Sequence, residues 1–80
     1  MPNRQVRSMK ESAKFQKGQR VGIYNSQGSR QIYEVDEVVW AGSTWTYIFL
    51  ECNTKNPVFV TFSSGGYSRY RQEERWLSSV

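Results

Sequence analysis

The chain has no histidine in 80 residues, and it has a single cysteine, Cys52. Without histidine there is no Ser-His-Asp or Cys-His nucleophilic machinery and no imidazole metal ligand. One cysteine excludes an intrachain disulfide framework and a multi-cysteine zinc site. No apolar run approaches the ~18 residues that a membrane-spanning helix requires. The start of the chain lacks the apolar segment of a secretory signal, so a cytoplasmic location is the expectation. No glycine-rich loop followed by Lys-Ser/Thr is present to cradle phosphates, and the acidic residues lack the loop spacing of a calcium site. The expectations are therefore no enzyme activity, no cofactor, no metal and no membrane partner.

What is present is aromatic and mildly basic. Phe, Trp and Tyr make up 15% of the residues, a composition suited to a small domain that must bury much area in little volume. The formal charge of +4 is unevenly placed. Residues 1–14 hold Arg4, Arg7, Lys10 and Lys14 against Glu11 alone, whereas residues 15–80 carry seven basic side chains against six acidic ones. The first segment is also poor in large hydrophobic side chains, so it reads as a flexible basic arm ahead of one folded domain over residues 15–80. Arg4, Arg7, Lys10, Lys14 and Lys17 recur at spacings of three and four. That spacing would gather them on one side of a short helix if a partner induced one.

From Phe15 onward the apolar pattern has period two, which predicts strands. Lys17-Gly18-Gln19 reads as a turn into a first strand over residues 20–24, with Val21 and Ile23 facing one way. A second strand spans residues 31–40. Its phase slips at Asp36-Glu37, between Tyr33/Val35 and Val38/Trp40, and such a slip requires a bulge or sharp bend. A third strand, residues 44–52, places Trp45, Tyr47 and Phe49 on one side and Ile48, Leu50 and Cys52 on the other. Cys52 reads as a small buried hydrophobe. Turn signals at Asn53 to Pro57 and at Ser63-Ser64-Gly65-Gly66 bracket a fourth strand, residues 58–62. A fifth is expected over residues 67–71. Residues 72–77 then read as a helical or 3-10 turn that presents Trp76 and Leu77 to the core. The sum is an all-β chain of five short strands, closed into a small barrel with a late 3-10 turn.

Phe15, Gly18, Val21 and Ile23, then Tyr33, Val35 and Val38, then Trp45 and Tyr47, with Trp76 and Leu77 closing, resemble the small SH3-like barrels of the KOW and Tudor kind. The resemblance runs over about residues 15–77 and implies a non-enzymatic binding module. The acidic loop and paired tryptophans of signalling SH3 domains are lacking, so a proline-rich ligand is not implied. Gly22-Ile23-Tyr24 departs from the KOW glycine pattern, and a ribosomal type of RNA role is not implied either. Gln31-Ile32-Tyr33 is similar to a tripeptide of the plasmid-type dihydrofolate reductases. There it lies on the last strand and here on the second, so no catalytic role carries over.

Two functional readings follow. In the first, nucleic acid is the partner. Arg4, Arg7, Lys10, Lys14 and Lys17 attract phosphate, while Tyr67, Arg69, Tyr70 and Arg71, joined by Arg75 and Trp76, offer rings for stacking and guanidinium groups for phosphate. In the second, Trp40, Trp45 and Tyr47 form an aromatic patch that meets a protein partner or a second copy of the chain. Glu34 and Asp36 are a carboxylate pair on one strand, read as a solvated outward face. Glu73 and Glu74 are placed to neutralise Arg69 and Arg71.

Overall fold

The computed structural model describes residues 12–80. Arg4, Arg7 and Lys10, and the possible helix built on them, lie outside the described residues. The chain is all-β: β1 (Arg20–Tyr24), β2 (Arg30–Trp40), β3 (Trp45–Glu51), β4 (Phe59–Thr61), β5 (Tyr67–Arg69), β6 (Arg71–Glu73) and β7 (Leu77–Ser79), with one 3-10 turn at Glu74–Trp76 between the last two. Five strands in the order β6-β3-β2-β1-β7 form an antiparallel sheet that curls into a half-barrel. The last strand thus returns to the flank of the first, a connectivity compatible with an SH3-like barrel. β4 and β5 form a separate two-stranded sheet.

The bulge falls where the pattern places it. The β2–β3 register passes from Val35↔Phe49 to Glu37↔Ile48, leaving Asp36 as the extra residue. One extra residue reverses the side-chain alternation, which lets Tyr33 and Val35 before it and Val38 after it all pack on one core. That core consists of Phe15, Val21, Ile23, Val35, Tyr47 and Phe49. The Phe15 ring meets Tyr47 edge-on at 5.8 Å, an arrangement favoured by the ring quadrupoles. Ile48 is buried on the opposite face of β3, so this interior strand is covered on both sides.

Gly22 is the one glycine among the described residues whose missing side chain leaves room that another side chain fills. A Cβ there would overlap the Arg30 guanidinium. The guanidinium lies flat over this gap and its Nη2 donates to the Ser79 carbonyl at 2.5 Å and to Ser78 Oγ at 3.3 Å. Arg30 on β2 therefore crosses β1 and clasps β7.

Three expectations are corrected. The predicted fifth strand does not run through residues 67–71, because it breaks at Tyr70. Tyr70 turns inward to pack against Tyr33 and Phe49 at 5.8 and 5.6 Å, so β5 pairs with β4 whereas β6 pairs with β3. Trp76 is 57% exposed and does not enter the core; only Leu77 packs there. Cys52 is half-buried at the end of β3, its Sγ 3.6 Å from the Ile32 carbonyl oxygen.

Candidate functional site

The Tyr/Arg set expected to share a face is divided by the break at Tyr70. Arg69 turns back under the hairpin: its Nη2 donates to Asp36 Oδ2 at 3.0 Å and to the Phe49 carbonyl at 2.9 Å, and its guanidinium lies 5.9 Å from the Phe59 ring centre. Arg69 Nε is buried with no hydrogen-bond partner. A guanidinium so engaged is not free to meet phosphate. Its neutralising partner is Asp36, not Glu73 or Glu74. Glu34 is likewise in an ion pair, with Lys55. The two β2 carboxylates therefore belong to separate ion pairs and do not form an acid/base couple. Tyr67 (70% exposed) and Arg71 remain at the surface.

The second expected patch is also redistributed. Tyr47 is fully buried and cannot form part of a surface. Trp40 and Trp45, opposite each other on β2 and β3, are half-buried and pack edge-on at 5.2 Å.

A different cluster assembles where the basic arm joins the barrel. Tyr47 donates its hydroxyl proton to Glu74 Oε2 at 2.6 Å and accepts from the Phe15 amide at 3.3 Å. The Lys14 amide donates to the same Glu74 oxygen at 2.7 Å. Ala13 packs against the core, so the last two residues of the arm are held by the barrel. Burial first, and the bond to Glu74 second, push the Tyr47 hydroxyl up to about 12. The residues that follow Glu74 point outward. The Arg75 guanidinium lies 5.1 Å over the Trp76 ring while its Nε bonds Glu73 at 2.9 Å. Both Arg75 and Trp76 are exposed. The root of the arm is thus tied at Glu74 to the 3-10 turn, whose next two residues are Arg75 and Trp76. Lys17, in the turn before β1, is exposed as well.

Two other features stand apart from this cluster. An open cleft of about 350 Å³ lies between the start of β2 and the end of β3, lined by Gln31, Ile32, Tyr33 and residues 51–54. Burial, then the Tyr70 and Glu51 charges, raise the Tyr33 phenol. Glu51 accepts a hydrogen bond from Thr54 at 2.6 Å. The second feature is the β4–β5 hairpin, which exposes Phe59 and Phe62 by half and Tyr67 by more. Among the described residues no group of three or more metal-ligating side chains gathers, and no helix is long and apolar enough to cross a membrane.

Sequence reasoning grouped Arg75 and Trp76 with the basic strand but assigned Trp76 inward. The signal that separates them is Glu74: a carboxylate drawn inward to Tyr47 fixes the turn so that its next two residues face out. Arg30 and Gly22 were missed because their contact is a side chain crossing a strand, which leaves no periodic trace. The chain matches no family model, no curated protein and no solved structure.

Proposed function

We propose that the protein is a non-enzymatic SH3-like module of the KOW or Tudor kind that associates with nucleic acid. The basic arm supplies sequence-independent attraction to phosphate through Arg4, Arg7, Lys10 and Lys14. The exposed Trp76 face, with Arg75 beside it, supplies a platform on which an unpaired base stacks. Arg71, Tyr67 and Lys17 extend the contact. Arg69 and Tyr70 drop out of the contact set, since one is ion-paired and the other half-buried in the aromatic cluster.

The observation that carries this reading is the 2.7 Å bond from the Lys14 amide to Glu74, one residue from Arg75 and two from Trp76. It holds Lys14, the last residue of the arm, to the turn that carries Arg75 and Trp76. A phosphate chain drawn by the arm then meets the ring without a search over the rest of the surface. Arg75 is available despite its bond to Glu73, because an exposed ion pair of this kind contributes little and exchanges readily for phosphate. Protein contact is the second reading, favoured by the exposed aromatic side chains of the β4–β5 hairpin. The test is titration of a fluorescently labelled single-stranded oligonucleotide at ~50 mM salt, where phosphate contacts are strong. Binding that weakens steeply with added salt supports the proposal, and its absence at low salt overturns it.

A further inference from the structure

The β4–β5 hairpin carries an aromatic surface, of which the nucleic-acid reading uses Tyr67 alone, and an open edge that it does not use. Residues 56–68 contain no charged side chain. Phe59 and Tyr67 pack edge-on at 5.4 Å on one face of the hairpin, and Phe62 follows at its tip. Gly65 and Gly66, with φ of 93° and 90°, form the turn that returns the chain. The Phe62 amide donates to Gly66 and the Tyr70 amide to Val58, so the even-numbered residues of β4 turn their backbone groups toward β5. Those of Phe59 and Thr61 point to the other side. There β4 has no neighbouring strand among the described residues. A two-stranded sheet is marginal by itself, and an uncharged edge is a template for strand addition.

We infer that the outer edge of β4 pairs with β4 of a second copy of this chain, forming a four-stranded sheet across a two-fold axis at Val60. Antiparallel pairing about Val60 sets Phe59 of one copy opposite Thr61 of the other, and makes about four backbone hydrogen bonds. Charge permits this occupant. Two chains of net charge +4 repel, and the hairpin lets them meet without bringing cations face to face. It also offers nothing to complement a charged partner, whereas a second β4 edge supplies donors and acceptors that match its own. The exposed parts of Phe59, Phe62 and Tyr67 amount to roughly 300–400 Å² per copy. That is below the ~800 Å² per partner of a stable complex. The dimer is therefore weak and concentration-dependent.

Sedimentation equilibrium of the full chain from micromolar to millimolar concentration tests this, with two variants alongside. Thr61→Pro removes an outward N–H and leaves the Val60–Ser68 pairing intact. Phe59→Lys sets like charges near the axis. The wild type shifts from monomer mass toward dimer mass as concentration rises, and added salt strengthens the shift by screening repulsion. Both variants lose the shift while retaining the wild-type circular dichroism spectrum. A wild type that stays monomeric throughout overturns the inference. So does a dimer that survives Thr61→Pro, because its contact would not be strand addition.

Discussion

The hydroxyl of Tyr47 lies 2.6 Å from Glu74 Oε2, and through that bond β3 of the half-barrel fixes both the 3-10 turn and the entry of the chain into the fold. The same carboxylate oxygen accepts from Lys14, and the same hydroxyl accepts from Phe15. Two atoms therefore decide where the basic arm leaves the barrel and which way Arg75 and Trp76 face.

Tyr47→Phe removes the hydroxyl from both bonds and leaves a partly buried carboxylate short of a donor. The expected cost is about 1–3 kcal/mol. A lower urea midpoint at unchanged slope reports it, together with faster amide exchange at Phe15.

The pH dependence follows from the same hydroxyl. Its ionisation is raised in the folded chain from the ordinary 10 to about 12. The neutral phenol thus binds its proton more tightly in the folded state than in the unfolded one. The resulting stabilisation is fully present below pH about 10 and is lost as pH rises through about 12. In Tyr47→Phe this part of the alkaline loss of stability disappears. Denaturant titrations at several alkaline pH values measure the difference.

The Arg69–Asp36 pair roots the β4–β5 hairpin in the bulge of β2. Arg69→Leu leaves Asp36 without this donor and takes from the Phe49 carbonyl one of its two donors, the Val58 amide remaining, at an expected cost of about 1–3 kcal/mol. Because this guanidinium is already engaged, its loss leaves the salt dependence of nucleic-acid binding unchanged. A salt slope that falls in this variant, when circular dichroism shows the fold intact, would place Arg69 on phosphate.

Gly22→Ala drives a methyl group into the space of the Arg30 guanidinium. The long side chain can swing aside, so the backbone is spared, but the clasp on Ser78 and Ser79 is lost. The expected cost is about 1–3 kcal/mol, the range for hydrogen bonds from a charged group. Arg30→Ala removes the same contacts. A double-mutant cycle then shows strong non-additivity, the second change costing little after the first.

The elements legible in the sequence were those whose side chains report their own position. Val21 and Ile23 mark the inner face of β1, and Tyr33, Val35 and Val38 mark both the long β2 and the slip that became the bulge. The turn residues at 25–29, 53–57 and 63–66 fall between strands as turn chemistry requires. What was not legible depended on contacts across the fold. Tyr70 continues the alternation of a strand on paper, yet the Tyr33–Phe49 cluster draws it inward and breaks that strand in two. Asp36 reads as an outward acid until the bulge lets it meet Arg69. Trp76 reads as core by its size, and only the inward pull of Tyr47 on Glu74 turns it out. Alternation records which face a residue takes within one strand. It holds no record of a partner more than thirty residues away, as Phe15 is from Tyr47.

The most direct test of the central claim is the salt dependence of single-stranded oligonucleotide binding, measured for three proteins by fluorescence anisotropy. These are the full chain, a variant lacking residues 1–11, and Trp76→Ala. The full chain is predicted to give a falling log–log plot of affinity against salt. Loss of Arg4, Arg7 and Lys10 should make that slope shallower by about 2. Trp76→Ala should keep the slope and lose about 1–3 kcal/mol of affinity, the contribution of one stacked base. No binding by the full chain at ~50 mM salt, where phosphate contacts are strong, would contradict the account. So would binding that neither change weakens.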